Sequence, residues 1–363
     1  MLKAKIVLTG GPCAGKTTAL SKIEEHLEEC GYKVMVVSES ATELIKGGIR
    51  PFGESKLDFD YFQTLMVKYQ LDKEKIYEMA ANSLSDDVVI IYDRGVIDNK
   101  AYINQNKFDE ILDSYGLKEL SLMDNYDMVL HLVTAADGAE NFYTLGNNSA
   151  RTETEEEAKV LDNKTVNAWL GHSNLKIIDN STNFDDKLKR VLNSINNLLG
   201  LPKSSKKERK FLVDLDRSDL SMIDSERIHI EQYYLDTNNE VRLRKRTLKG
   251  DSTYYYTEQI KGKDGVSTVL IDKKITEKDF HKKLLASNGF SRIEKDRYSF
   301  VYNKKCYKLD IIDGYGILEA DGTGNIELPN FLHILDEVTN NPNYQNKSIA
   351  VNKKEKAKVF IKK

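Results

Sequence analysis

The sequence lacks most features of secreted, disulfide-rich or membrane-spanning proteins. Its 363 residues include only five prolines and three cysteines, Cys13, Cys30 and Cys306. Three cysteines cannot form a disulfide framework, and their presence indicates a reducing compartment. No apolar run approaches the roughly 18 residues of a membrane span, and the chain opens on a strand-like segment rather than a signal peptide. These absences predict a cytoplasmic protein without a transmembrane segment.

The sequence also lacks a large excess of either positive or negative charge. The chain has 54 Lys and Arg against 57 Asp and Glu, a formal net charge of −3. This balance gives the whole molecule no general affinity for nucleic acid or membranes. The length predicts two domains, at about 100–200 residues each.

A glycine-rich stretch near the start carries the clearest functional pattern. An apolar segment, residues 5–9, precedes Gly10, and Gly15-Lys16-Thr17 follows after four residues, which is the P-loop spacing. Glycines let backbone N–H groups approach phosphates, and the helix start adds partial positive charge. We expect Lys16 to contact the β/γ-phosphates and Thr17 to hold Mg²⁺. The predicted nucleotide-binding residues are Gly10, Gly11, Pro12, Cys13, Ala14, Gly15, Lys16, Thr17 and Thr18.

A second phosphate-site element follows the apolar run 88–92. There Asp93-Arg94-Gly95 ends a predicted strand, where a carboxylate binds Mg²⁺ or accepts the proton of an attacking hydroxyl. The alternative is an Asp that caps a turn. Arg151 lies in a polar segment between two later predicted strands and is the best candidate for a lid arginine. The alternative is a solvated helix start that Thr152 or Thr154 caps, and it is compatible with the lid role because Arg151 would lie just before that helix.

Four segments of the first half resemble a known family. They are residues 10–18, Val37-Ser-Glu-Ser-Ala41, Asp93-Arg-Gly-Val-Ile-Asp98 and Trp169-Leu-Gly-His172. Together they look like AAA-type ATPase domains related to the ribosylnicotinamide-kinase group, over about residues 1–200. The resemblance implies a P-loop kinase-like αβα sandwich with a parallel sheet, consistent with the β–loop–α–β opening of the chain.

Two further residues are candidates for binding a phosphate acceptor. Glu39 follows the second strand, and Gln63 lies on a helix predicted over residues 58–84. The equally weighted alternatives are that Glu39 caps a helix and that Gln63 is an amide on the helix surface. The apolar positions expected to anchor this helix in the core are Phe62, Leu65, Met66, Tyr69, Ile76 and Met79.

The hydrophobic period changes after residue 200. Residues 201–207 read as a linker, and eight strand-like runs with one helix follow, which predicts an antiparallel sheet or barrel over residues 208–350. The tail 351–363 is rich in lysine. A solvated tail is the ordinary interpretation, and anionic lipid or RNA binding is the alternative.

Basic side chains recur on these strands. Arg242, Arg244 and Arg246 alternate and therefore share one face of a strand. Other strands carry Lys210, Lys261, Lys295 and Arg297. Ordinary solvent-facing charge is the simple explanation. If the faces converge, they form a polyanion site, where opposing carboxylates could hold Mg²⁺ or Mn²⁺.

Six segments of the second half resemble a CYTH domain, the triphosphate tunnel fold. They are residues 208–213, 231–235, 242–246, 295–297, 309–314 and 318–321. The resemblance implies an eight-stranded antiparallel tunnel that binds triphosphates, with metal held by carboxylates such as Glu208, Glu319 and Asp321. The pattern departs from the family where Lys206 replaces the first glutamate of Glu-x-Glu-x-Lys. Because Asp272 and Lys274 replace a second glutamate pair, metal-dependent triphosphatase activity is doubtful.

Together the two halves resemble P-loop/CYTH proteins, which include animal relatives named for a translocation defect. The leading hypothesis is a Mg²⁺-dependent ATP- or GTP-binding phosphotransferase or NTPase, whose CYTH domain binds a triphosphate, polyphosphate or phosphorylated small molecule. In it, Arg94 and Arg151 neutralise the transferred phosphoryl group. The first alternative is a nucleotide-gated, GTP-binding regulatory protein that binds phospholipid or polyphosphate. The second is a CYTH triphosphatase.

Overall fold

The structure is a computed structural model that describes residues 1–140, 154–201, 208–235, 240–261, 267–322 and 326–352, with only the backbone described at 259–261 and 267–271. The candidate lid residue Arg151, most of the predicted linker and nearly all of the basic tail lie outside the described residues. The chain divides into two compact units. The first is Met1–Lys206 with Asn303–Cys306, and the second is Lys207–Tyr302 with Tyr307–Lys363.

The first unit is built on a parallel sheet of five strands in the order β2-β3-β1-β4-β5, which confirms the predicted sheet. A short 3₁₀ helix, Val96–Ala101, follows the third strand. In chain order the elements are β1 (Leu2–Gly10), α1 (Lys16–Glu29), β2 (Lys33–Val37), α2 (Ser40–Lys46), α3 (Phe59–Ser83), β3 (Val88–Asp93), α4 (Gln105–Ser114), α5 (Glu119–Met123), β4 (Met128–Leu132), α6 (Glu155–Ala168), β5 (Leu175–Ile178) and α7 (Phe184–Leu199).

Helices α1 and α7 cover one face of this sheet. Apolar side chains recur along both helices at spacings of three and four residues, so each presents one buried stripe. Ile23 of α1 and Val191 of α7 are fully buried in a common core with Ile6 and Leu8 of β1. Each such side chain contributes roughly 1.5–3 kcal/mol on burial. This core holds the carboxyl ends of the strands in place beneath the P-loop.

Helix α3 is oriented differently from its predicted orientation. Phe62 and Met66 are buried as expected, but Tyr69, Ile76 and Met79 are exposed, so the prediction that they lie in the core was wrong. The buried side of α3 instead carries the polar residues Gln63, Gln70 and Glu74. The apolar pattern was misleading because this side of α3 hydrogen-bonds the segment after β3, as at Gln70 and Arg94 O.

Glu74 is a buried carboxyl group within α3. It accepts hydrogen bonds from the hydroxyl of Tyr126, at 2.8 and 3.1 Å from its two oxygens, and from Nε2 of Gln70 at 3.2 Å. Burial raises the pKa of Glu74 to about 8, although these hydrogen bonds oppose the shift. The carboxyl is therefore mostly protonated in the folded protein at neutral pH.

This pKa predicts how Glu74→Gln changes stability. Because the folded protein holds the proton more tightly than the unfolded chain, stability falls as the pH rises from about 4.5 to about 8. The neutral amide avoids this loss, so the variant should gain stability over the wild type at pH 9 but not at pH 4.5. The gain corresponds to about 1.4 kcal/mol per pKa unit.

Urea unfolding at both pH values measures the effect. Glu110→Gln, at an exposed position of α4, is the control and should show no such pH-dependent gain. An equal effect of Glu74→Gln at pH 4.5 and pH 9 would contradict the protonated state.

The second unit is an antiparallel sheet with one helix packed on it. The nine described strands lie in the order β10-β9-β8-β7-β11-β12-β13-β6-β14, and the strand pairs with a defined register are antiparallel. The elements are β6 (Glu208–Asp214), β7 (Arg227–Leu235), β8 (Glu240–Leu248), β9 (Asp251–Lys261), β10 (Ser267–Ile275), α8 (Glu277–Leu285), β11 (Phe290–Tyr302), β12 (Lys305–Ile312), β13 (Tyr315–Asp321) and β14 (His333–Glu337).

The ninth strand, β14, was not predicted, because it is an exposed edge strand without alternating burial. The antiparallel sheet is confirmed, whereas its closure into an eight-stranded tunnel stays a prediction. Helix α8 covers one face of the sheet, where Phe280 packs against Tyr233, Leu243 and Tyr254. The opposite face carries an apolar cluster that includes Ile293, Ile312 and Ile317, beside polar side chains of the same strands. Across both units, no helix in the described part of the chain combines the length and apolar character needed to cross a membrane.

Candidate functional site

The P-loop turns tightly at two glycines. Gly10 has a φ of 140°, and a Cβ there would lie 2.0 Å from the carbonyl oxygen of Leu132. Gly15 has a φ of 85°, and a Cβ there would lie 2.6 Å from the ring of Phe184. Any larger residue at either position would move the loop, because both the backbone conformation and the available space require glycine.

The end of the loop leads directly into α1. Gly15 occupies the N-cap position, and among the described residues no side chain caps this helix start. The first N–H groups of α1 and the helix dipole are therefore suited to an anion. Lys16 Nζ donates to the carbonyl oxygens of Gly10 and Gly11 at 3.1 and 3.0 Å, so the lysine folds back across the loop. Thr17, next along the helix, is exposed.

Asp93 lies at the carboxyl end of β3, opposite Leu8 of the P-loop strand β1. Its Oδ1 atom is buried and has no hydrogen-bond partner among the described residues. Burial raises the pKa of Asp93 and outweighs the positive charges of Lys16 and Arg94. A buried carboxylate oxygen without a partner is costly, and such groups are common where a ligand or a proton is bound.

Arg94 adopts a left-handed backbone conformation, with a φ of 70°. Its Nε donates to Glu39 Oε1 at 2.8 Å, while its buried Nη1 has no partner among the described residues. Burial alone would raise the pKa of Glu39, but Arg94, the hydroxyl of Thr42 and Lys16 lower it to about 2. The predicted site residues Glu39 and Arg94 thus form an ion pair, and non-glycine residues in this conformation cluster at functional sites.

Gln63 is only 5% exposed, and its Oε1 atom has no hydrogen-bond partner among the described residues. The alternative of a surface amide is therefore wrong. About two turns further along α3, Gln70 Nε2 donates to the carbonyl oxygen of Arg94 at 3.1 Å. Helix α3 thus contacts the segment that follows β3 through the amide of Gln70.

In the second unit, strand register gathers basic residues on the face opposite α8. Arg242, Arg244 and Arg246 lie directly across from Tyr234, Gln232 and Ile230 of β7, and Ile230 also pairs with Lys295 of β11. Directly opposed residues of antiparallel strands share a face. We call this surface the basic strand face and define it by Lys210, Arg242, Arg244, Arg246, Lys295 and Arg297, with the carboxylates Asp310 and Glu319.

The arginines of β8 keep positive charge without full compensation. Arg244 lies over the ring of Tyr255, 4.7 Å from the ring centroid. Burial and the charges of Arg242 and Arg246 lower the pKa of Arg244 to about 10. The Nε atoms of Arg242 and Arg244, and Oε1 of Gln232 on the facing strand, are buried without partners among the described residues.

Elsewhere on the face, cations and carboxylates are paired. Arg297 contacts Asp310 through Nε at 2.6 Å and contacts Glu319 through Nη2 at 2.6 Å. Lys295 donates to Asp310 at 2.5 Å, and Lys210 lies 3.5 Å from Glu319. The structure therefore places six of the seven predicted phosphate-binding residues on one face of the sheet, while the side chain of the seventh, Lys261, lies outside the described residues.

The carboxylates proposed as metal ligands in this unit are less closely gathered. Glu208 and Asp321 oppose each other across β6 and β13. Glu319 contacts Arg297 and Lys210 instead of presenting a carboxylate to solvent. In the described part of the chain, no group of three or more His, Cys, Asp and Glu residues is placed to hold a metal ion. Metal binding by these three residues stays a prediction.

Residues 5–187 match the AAA domain family. The chain belongs to this family. Over 198 residues it is 21% identical to a thymidylate kinase of Mycoplasma capricolum subsp. capricolum (strain California kid), an alignment that covers 52% of this chain and 93% of that kinase. The AAA domain is thus a nucleotide-binding P-loop domain with similarity to a kinase. The narrower ribosylnicotinamide-kinase grouping stays a prediction.

Two crystal structures of a protein called NE1496 are also similar to this chain. One is described as a hypothetical protein and the other as an inorganic triphosphatase. Both are 24% identical to this chain and cover 40% of it, with 98% and 96% of their own chains aligned and TM-scores of 0.31 and 0.30.

Asp98 is a residue of the AAA domain that sequence reasoning quoted but gave no role. It is buried and accepts three hydrogen bonds, from Thr9 Oγ1 at 2.6 Å, Gly95 N at 2.8 Å and Trp169 Nε1 at 3.0 Å. These bonds join the end of β1, the turn after Asp93 and the end of α6. The signal in the sequence was the joint occurrence of the Asp93–Asp98 segment and Trp169.

Asp162 of α6 contacts the P-loop, and sequence reasoning missed it. Its Oδ1 accepts from Gly11 N of the P-loop at 2.6 Å and from Thr134 N at 3.2 Å. Nε2 of the buried His131 lies 3.2 Å away, without the alignment of a hydrogen bond. Burial alone would raise the pKa of Asp162, but His131 and the two backbone N–H groups lower it. Its position on the buried side of α6, beside Ala158, was the available signal.

We therefore expect Asp162 to position the P-loop. Asp162→Ala leaves the N–H of Gly11 buried without its acceptor, a loss of about 1–3 kcal/mol. Nucleotide affinity, measured by calorimetric titration of ATP and GTP, should fall about tenfold or more. Asp162→Asn should restore part of it, because its amide oxygen can still accept.

The matched control is Glu156→Gln, at an exposed position of the same helix, which should bind nucleotide normally. If Asp162→Ala lowers the melting temperature but binds nucleotide like the wild type, Asp162 only stabilises the fold.

Proposed function

We propose that the AAA domain is a Mg²⁺-dependent phosphotransferase, which moves the γ-phosphoryl group of ATP or GTP to a hydroxyl or phosphate of a small acceptor. The observation that carries this proposal is the buried, unpartnered Oδ1 of Asp93, at the end of the strand beside the P-loop strand. A carboxylate at such a position, with a pKa that burial raises, is the kind of group that enzymes use for proton transfer.

In this proposal, the P-loop binds the phosphates of the nucleotide. The uncapped start of α1 and the backbone of residues 10–18 surround the phosphates. Lys16, which contacts two loop carbonyls here, would exchange them for phosphate oxygens. The exposed hydroxyl of Thr17 and the carboxylate of Asp93 are oxygen ligands of the type that Mg²⁺ prefers. When bound, Mg²⁺ would supply charge neutralisation on the phosphates.

Asp93 has a second possible role as a base. Its raised pKa makes the carboxylate better able to accept the proton of an attacking hydroxyl. Arg94, with one unpartnered guanidinium nitrogen, is suited to neutralise charge on the transferred group. Arg151 is proposed for the same task from its sequence position alone.

The acceptor would lie against Glu39 and Gln63. The buried Oε1 of Gln63 can accept a hydrogen bond from an N–H or O–H group of the acceptor, and Glu39 fixes the guanidinium of Arg94. Since the relative from Mycoplasma is named a thymidylate kinase, nucleosides and nucleoside monophosphates are the first acceptors to test. The ribosyl compounds that the narrower family resemblance suggests come next.

Phosphoryl-transfer assays over this acceptor panel, with ATP and GTP as donors, test the proposal. Lys16→Ala should weaken nucleotide binding and abolish transfer. Asp93→Asn should retain nucleotide yet lose about 10²- to 10⁴-fold in turnover if Asp93 acts as the base. Asp72→Asn, at an exposed position of α3, should behave like the wild type. Bound nucleotide with no consumption of any acceptor would reject the kinase and favour the nucleotide-gated alternative.

For the second unit, the proposal is a CYTH-like domain that binds an oligophosphate on the basic strand face. Support comes from the sequence resemblance and from the unpartnered Nε atoms of Arg242 and Arg244. Guanidinium groups bind phosphate oxygens through charge-assisted hydrogen bonds, and the unpartnered nitrogens of Arg242 and Arg244 are available for them. The metal-dependent triphosphatase remains the less favoured alternative.

Arg244→Gln tests this binding site. Loss of a charge-assisted contact, at about 1.5–3 kcal/mol, should weaken tripolyphosphate binding about 10- to 100-fold in calorimetric titration. The control is Arg227→Gln, an exposed arginine at the start of β7, which should change affinity little. Equal losses in both variants would indicate general charge attraction instead of a site.

A further inference from the structure

The CYTH resemblance implies a divalent metal held by carboxylates, but the carboxylates of the basic strand face have other partners. Both oxygens of Asp310 are occupied. Arg297 donates to Oδ1 at 2.6 Å and to Oδ2 at 2.7 Å, and Lys295 donates to Oδ2 at 2.5 Å. Asp310 is 1% exposed, so the carboxylate, the bidentate guanidinium and the ammonium form a closed group.

Glu319 is engaged in the same way. Its Oε2 accepts from Arg297 Nη2 at 2.6 Å, and its Oε1 lies 3.5 Å from Lys210 Nζ. Burial would raise the pKa of Glu319, but Arg297, Lys295 and Lys210 lower it strongly. Three cations thus surround two carboxylates, and all five side chains are buried or nearly so.

A metal ion could use these carboxylates only by displacing their cations. Lys295 and Arg297 would then remain buried without counter-ions, next to a new divalent charge. Both consequences are unfavourable, because a buried charge that loses its partner destabilises the fold. The other candidate carboxylates, Glu208 and Asp321, face each other on β6 and β13. In the residues that the structure describes, they do not complete a cluster of three potential ligands.

We propose that the basic strand face binds oligophosphate directly through Arg242 and Arg244, without a divalent metal. In this arrangement Asp310 and Glu319 are fixed counter-ions that hold Arg297 and its neighbours in place. Arg242 and Arg244, whose buried Nε atoms have no partner among the described residues, supply the charge that attracts the anion. This inference rests on the proposed oligophosphate binding by the second unit.

A direct consequence is that divalent cations weaken binding. Mg²⁺ and Mn²⁺ bind tripolyphosphate in solution and reduce its negative charge, which is the property that an arginine-lined face recognises. A metal-requiring site shows the reverse dependence, because the metal bridges carboxylates and phosphates.

Calorimetric titration of the full chain with tripolyphosphate distinguishes metal-free binding from metal-requiring binding. The chain carries Lys16→Ala to suppress binding at the P-loop, and ionic strength is constant in buffers with EDTA, Mg²⁺ or Mn²⁺. We expect binding in EDTA and a dissociation constant at least threefold higher in excess Mg²⁺ or Mn²⁺. Binding that needs metal overturns this inference but leaves the proposed function intact. No binding in any buffer overturns the proposed function of the second unit itself.

Asp310→Asn in the same Lys16→Ala chain provides a second readout. If Asp310 is a counter-ion, its loss adds net positive charge to the face, and affinity in EDTA should rise severalfold. If Asp310 were a metal ligand, affinity in EDTA would not change and only the binding in Mn²⁺ would fall, which would overturn the inference. The comparison of EDTA with metal needs no change in this network, so it decides the question even if Asp310→Asn does not fold.

Discussion

Asp98 accepts three hydrogen bonds in a space that water does not reach, and the geometry of the AAA domain depends on them. A buried carboxylate is tolerated only when donors surround it, so each donor must remain where it is. Thr9 fixes the strand that enters the P-loop, and Gly95 fixes the turn after Asp93. Trp169 fixes the end of α6, whose Asp162 in turn holds Gly11. Two buried carboxylates thus connect the loop, the Asp93 turn and α6.

Other buried polar groups of the AAA domain lack the hydrogen-bond partners that Asp98 and Asp162 have. Asp93, Gln63 and Arg94 each keep a buried polar atom without a partner in the described residues. A folded domain pays a free-energy cost for each such atom. This cost is recovered when a ligand supplies the missing partner, so these three groups are candidates for ligand contacts. The same contrast divides the basic strand face, where Asp310 is fully paired and Arg244 is not.

Much of this could be predicted from sequence because the relevant patterns are local. Strand, glycine loop and helix adjoin in the P-loop, and alternation alone places Arg242, Arg244 and Arg246 on one face. Asp162 could not be found in this way, since its contact with Gly11 joins residues 151 positions apart. The orientation of α3 was misjudged because a helix that lines a polar site buries glutamines and leaves Ile76 exposed. The edge strand β14 was missed because it lacks the alternation that a buried face imposes.

The two proposed phosphate sites would bind a polyanion in different ways. The P-loop would use backbone N–H groups and a helix start, which carry only partial charge, so a lysine and a cation would be needed to balance the phosphates. The basic strand face uses full charges that lie on adjacent strands and repel one another, as the lowered pKa of Arg244 shows. The carboxylates of this face, Asp310 and Glu319, reduce the repulsion around Lys295 and Arg297, which they contact. A site whose excess charge is already fixed in the protein does not need a metal ion to attract its ligand, and its selectivity then depends on the charge of the ligand itself.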